Sequence, residues 1–133
     1  MSVKIKAIVK EEHRVEVEHG PSKNKILTDP PVDNGGKGAD FSPTDLFTSA
    51  LASCILTIMS MAATKNNLNL QGACIELEKH MQENPRRIGK FIGTLTFPPG
   101  LDEKAKERLK AFINACPVHK SIHPDIKLEL EIK

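Results

Sequence analysis

Apolar and polar residues alternate at the start of this chain. Val3, Ile5, Ala7 and Val9 alternate with polar residues, and Val15 and Val17 repeat the pattern after the charged turn EEHR. A period of two predicts strands. A third short strand, KILT at 25–28, follows the break at Gly20-Pro21. The stretch TDPPVDNGGKGADF at 28–41 then holds two prolines and three glycines, which predicts a loop. It is long for a compact domain, and long ordered loops often border functional sites.

A well-marked helix start follows. Ser42 suits the N-cap, Pro43 the first helical position, and Asp45 falls three residues after Ser42 as in a capping box. From there to Lys65 nothing breaks a helix, and the run SALASCILTIMSMAAT is apolar on nearly every face. That predicts a central, buried helix rather than an amphipathic surface one, ended by Asn66 and Asn67. Residues 72–82 and 88–98 read as two strands joined by the turn ENPRR. After PPGLD, the residues Ala105, Leu109, Phe112, Ile113 and Cys116 recur at helical spacing. Pro117 interrupts them, a further turn PVHKSIH follows, and IKLELEI closes the chain as an alternating strand. The expected fold is α+β, with antiparallel sheets around a long buried central helix. At 133 residues, one domain over 1–133 is the simplest organisation.

Composition narrows the function. Lys and Arg are interspersed with Asp and Glu at a net charge of +2, and there is no Trp or Tyr. A chain without a basic face or stacking aromatics is not expected to bind nucleic acid. Polar residues interrupt the one long apolar run, so no membrane partner is expected. The N-terminus lacks a continuous apolar stretch of signal-peptide type, which points to the cytoplasm. In a reducing compartment, three widely spaced cysteines argue for catalysis, redox sensing or burial rather than a structural disulfide framework.

Cys54 sits in the middle of the predicted buried helix, with Ala50, Leu51 and Ile58 as helical neighbours. On its own it reads equally as a small core residue. Cys116 precedes Pro117, which can open a new helix, and a sulfur capping that helix would lie near free N–H groups. Such a position is expected to lower a thiol pKa. Cys74 lies on the polar-leaning side of its strand and reads as incidental. Cys116, His119 and His123 also stand at helical offsets that could suit zinc or iron, although Pro124 stops the helix there.

Taken together, SPTDLFTSALASC and, some way downstream, ACPVHKSIHPDI resemble the OsmC/Ohr family of small thiol-dependent proteins. The resemblance extends over nearly the whole chain, from the opening strands and Gly-rich loop to PRRIGKF and the CPV segment. It implies an intertwined homodimer and a cofactor-free peroxidase for organic hydroperoxides, with hydrogen peroxide reduced less well. Its partners would be a small-molecule peroxide and a thiol reductant. Cys54 would be the peroxidatic residue and Cys116 the resolving one. An apolar surround raises a thiol pKa, so a cation is needed beside Cys54. By resemblance that cation is Arg14, with Arg86 and Arg87 as alternatives. The peroxidase branch carries a Glu ten residues before the first cysteine. Here that position is Thr44, and the acid is Asp45, roughly 100° further round the helix. Asp45 is thus a candidate partner for Arg14 as well as the capping-box acid. The other functional readings are a non-enzymatic dimer that binds a small apolar molecule and a metal-binding protein.

Overall fold

A computed structural model describes residues 1–133. The chain forms two compact units, Met1–Leu46 and Phe47–Lys133. The first holds an antiparallel sheet in the order β1 (Ile5–Glu11), β2 (Arg14–His19) and β3 (Lys25–Thr28). Ala7 pairs with Val17 and Val9 with Val15, while Ile26 pairs with Val17 from the other side. The predicted alternation therefore builds one apolar face, because residues two apart on a strand share a face. Ile5, Val9 and Ile26 on that face are at least half exposed. The turn between β1 and β2 is tight, with His13 left-handed at φ 69°. Arg14 opens β2 immediately after it.

The helix α1 spans Pro43–Lys65. Its capping box forms as the sequence predicts: Asp45 N–H donates to Ser42 Oγ at 3.1 Å, and Ser42 N–H to Asp45 Oδ2 at 2.9 Å. At the other end Asn67 adopts the left-handed conformation at φ 56°. Asn67 N–H reaches the Thr64 carbonyl and Leu68 N–H the Ala63 carbonyl, a Schellman closure that satisfies two terminal carbonyls.

The second unit holds β4 (Cys74–Gln82), β5 (Arg87–Thr96) and β6 (Lys127–Ile132) in that spatial order. β4 and β5 are antiparallel, and β6 runs parallel to β5. The sheet is therefore mixed rather than purely antiparallel. The intervening chain, α2 (Glu103–Lys110), a 3-10 stretch (Ala111–Ala115) and α3 (Pro117–Ser121), supplies the crossover a parallel pair needs. At Gly93 in β5 a Cβ would stand 2.1 Å from the Glu76 carbonyl oxygen, so only glycine allows β4 to approach so closely. The long second helix expected over DEKAKERLKAFINAC is instead α-helical only to Lys110 and tightens before Cys116-Pro117. Proline disfavours a helical residue before it, and Cys116 is extended at φ −61°, ψ 122°.

Leu51, Ile55 and Met59 of α1 join Phe91, Leu95, Leu109 and Cys116 in one core. The Phe47 and Phe91 rings stack with centroids 6.3 Å apart. The predicted burial of α1 holds for one face. By length and apolarity α1 would suffice to cross a bilayer, yet only 33% of its most apolar window is buried. Phe47, Ala50, Ser53, Thr57, Ser60, Met61 and Thr64 are exposed along the helix. Its hydroxyls turn inward: Ser53, Thr57 and Thr64 donate to the carbonyls of Ala50, Ser53 and Ser60.

Two side chains should separate capping from packing. Ser42→Ala should cost about 1 kcal/mol of stability, and Leu51→Ala about 3 kcal/mol. Urea unfolding followed by circular dichroism measures both, and equal costs would contradict this division.

Candidate active site

Cys54 lies on α1, half-buried and packed against the core. Cys116 lies between the 3-10 stretch and α3 and is fully buried. The Cys54 side chain lies close enough to Cys116 to act on its titration. All three cysteines are free thiols. The fold thus joins two sulfurs from positions 54 and 116 and leaves Cys74 exposed at the start of β4.

Cys116 caps α3 as its place before Pro117 suggests, its sulfur accepting the His119 N–H at 3.4 Å. The expected fall in its pKa does not follow. Burial pushes the Cys116 thiol up, and the neighbouring Cys54 side chain adds to the rise. The His119 N–H pulls the other way and loses. One long N–H···S bond at the start of a five-residue helix is a weak counterweight to complete desolvation. Cys116 therefore stays protonated at neutral pH.

In the first unit, Arg14 Nη2 donates to the Asp40 carboxylate. Arg14 Nε is buried without a partner. Asp45, the acid singled out in the sequence, is engaged with Ser42 at the helix start. The carboxylate on Arg14 belongs instead to Asp40, which sequence reasoning passed over. The only signal for Asp40 was its place at the end of the Gly-rich loop.

The alternative arginines have other partners. Arg86 pairs with Glu83 at 3.5 Å and Arg87 with Asp125 at 3.8 Å. His123 lies beyond the end of α3 and faces Asp125 at 3.7 Å. Cys116, His119 and His123 do not come together, and no group of three or more His, Cys, Asp or Glu side chains is arranged to hold a metal ion. The helical offsets that suggested a metal site fail because α3 stops at Ser121.

A model of the OsmC-like protein family matches residues 35–131, and the chain belongs to that family. A Psychrobacter arcticus 273-4 protein, provisionally described as an osmotic stress induced and detoxification response protein, is 40% identical. The match covers 97% of this chain and 94% of that one at a TM-score of 0.92. An organic hydroperoxide resistance protein OsmC from Legionella pneumophila shares the fold at 20% identity and TM-score 0.80, over 100% of this chain and 97% of that one. So does the organic hydroperoxide resistance protein OhrB of Bacillus subtilis, at 19% identity and TM-score 0.69, over 100% and 98%. No curated protein sequence matches.

The raised Cys116 pKa has a stability signature. Below its ordinary value of 9.0 the thiol is neutral whether folded or unfolded. Above that value the unfolded chain ionises first, so stability should fall as pH climbs through the higher folded value. Under reducing conditions, urea midpoints of the wild type should drop more steeply above pH 9.0 than those of Cys116→Ser. Parallel curves would show that the thiol is not desolvated.

Proposed function

We propose that this protein is a cysteine-based peroxidase that reduces organic hydroperoxides, and hydrogen peroxide less well. The observation that carries this reading is that two cysteines far apart in sequence, half-buried Cys54 on α1 and buried Cys116 before α3, come together in one core. The Cys54 thiolate attacks the terminal oxygen of the hydroperoxide. The O–O bond breaks, the alcohol leaves with a proton, and Cys54 becomes a sulfenic acid. Cys116 then attacks the Cys54 sulfur, a disulfide forms, and water departs. A dithiol or small-thiol reductant restores both thiols by exchange. Two neighbouring sulfurs favour the second step over further oxidation.

By family resemblance, Arg14 is the residue assigned to support the Cys54 thiolate. The apolar neighbours Leu51 and Ile55 favour an organic peroxide over a fully hydrated one. Reduced cysteines and a thiol reductant fit the cytoplasm.

The functional unit is a homodimer. The exposed side of α1 joins large apolar residues, Phe47 and Met61, to small ones, and Ser53, Thr57 and Thr64 already donate to the helix carbonyls, so a second subunit can cover it at little polar cost. The apolar face of β1–β3, with Ile5, Val9 and Ile26 exposed, is a second surface that water disfavours.

Intact mass spectrometry tests the chemistry. Titrating reduced protein with cumene hydroperoxide should remove two hydrogens from the wild type and from Cys74→Ser, the mark of a disulfide. Cys116→Ser should instead add oxygen, stopping at sulfenic acid or reaching sulfinic acid under excess peroxide. Cys54→Ser should be inert. If Cys116→Ser and wild type gain oxygen with the same dose dependence, Cys116 does not resolve. If the wild type leaves the peroxide unconsumed, a ligand-binding role replaces catalysis.

Sedimentation velocity tests the assembly. The wild type should sediment as a dimer at micromolar concentration. Thr57→Arg, which places a charge in the centre of the exposed side of α1, should shift it toward monomer. A monomeric wild type counts against the dimer.

A further inference from the structure

The loop between β3 and α1 is built around one buried carboxylate. Asp29 is 3% exposed, and its Oδ2 accepts the N–H of Lys37 at 3.2 Å and of Ala39 at 3.0 Å. Its own N–H donates to the Phe41 carbonyl at 3.1 Å and closes the neck of the loop. Within the loop, Asn34 and Gly36 N–H reach the Pro31 carbonyl at 2.9 and 3.0 Å, and Gly38 N–H reaches that of Pro30 at 3.3 Å. A Cβ at Gly36 would stand 1.8 Å from the Pro30 oxygen, so the loop has no room for a side chain there. These contacts specify one shape, as in a compact Ω-loop.

Ala39, held by Asp29, is followed directly by Asp40, the residue whose carboxylate meets Arg14. The side chain of Asp40 is 43% exposed and that of Arg14 28%. A half-exposed ion pair on a freely moving loop contributes little, because ordering two side chains and the backbone cancels the attraction. Fixing the loop in advance removes most of that cost. The guanidinium also needs this contact, since its Nε is buried without a partner.

We infer that Asp29 and Asp40 are positioning residues: Asp29 fixes the shape of loop 29–41, and that shape presents the Asp40 carboxylate that orients Arg14. Only the kinetic consequence rests on the peroxidase reading; the structural coupling stands apart from it. Arg14 is then governed by a loop rather than by an acid on α1, and whatever disorders the loop disengages the cation.

The experiment combines three readouts on Asp29→Asn, Asp40→Asn, Asp40→Glu and Arg14→Ala. Limited trypsinolysis at Lys37 reports loop order; Asp29→Asn should be cut at least about tenfold faster and Asp40→Asn close to the wild-type rate. The Arg14 Nε–H resonance reports the guanidinium. It should exchange faster with solvent in Asp29→Asn and Asp40→Asn and recover in Asp40→Glu. With cumene hydroperoxide, kcat/KM should fall about tenfold in Asp40→Asn, the loss expected for a charged hydrogen bond. It should recover in part in Asp40→Glu. The double variant Arg14→Ala/Asp40→Asn should be no slower than Arg14→Ala alone. An Arg14 resonance indifferent to both aspartates, or unchanged cleavage at Lys37 in Asp29→Asn, overturns the proposal. So does an additive loss in the double variant. Absence of peroxide turnover in the wild type would sink the peroxidase reading, while the cleavage and resonance arms still decide the positioning claim.

Discussion

The proximity of Cys54 and Cys116 is the contact on which the proposed chemistry of the second unit depends. It is a tertiary contact between residues far apart in sequence, and two local rules produce it. On α1, Leu51, Ile55 and Met59 recur at helical spacing on the buried face, and the adjoining Cys54 is left half-buried at that face's margin. At the other partner, Pro117 prevents the 3-10 stretch from running on, so Cys116 is extended and its sulfur turns to the start of α3. If either rule fails, the sulfurs part while the hydrophobic core remains.

Burial and reactivity oppose each other at this pair. Complete burial holds Cys116 as a thiol, whereas half-burial leaves Cys54 open to a reactant. A thiolate is the better nucleophile, but a thiol beside it is the better donor to a developing negative sulfur. The difference in environment therefore separates the two roles more firmly than the helix start at α3 does. This asymmetry is the reverse of what the Cys116-Pro117 motif alone suggested. Capping geometry is readable from sequence, but desolvation depends on the whole fold.

Legibility followed the range of the interactions. The capping box at Ser42, the stop at Asn67, the strand KILT and the alternation of IKLELEI are local, and all appear where the sequence put them. The parallel direction of β6 was not readable, because alternation fixes which face a residue takes and not which way its neighbour runs. Among site residues, the meeting of Cys54 with Cys116 came from the family resemblance and not from periodicity. Asp40 was missed because nothing in the loop's composition says that its carboxylate reaches across the sheet hairpin to Arg14. Asp45 drew attention instead because it stands near the right helical position, where capping proved sufficient to occupy it with Ser42.

The uncovered side of α1 is where the proposed dimer makes its demand. Its length and mean apolarity would pass for a bilayer span. Its exposed residues set the small Ala50, Ser53, Thr57, Ser60 and Thr64 beside the large apolar Phe47 and Met61. Small residues let a second backbone approach closely, where dispersion contacts are densest. Hydroxyls turned back onto the helix carbonyls lose no hydrogen bond when water leaves. In the proposed dimer the apolarity of α1 is divided between the core it already serves and the surface the second subunit covers.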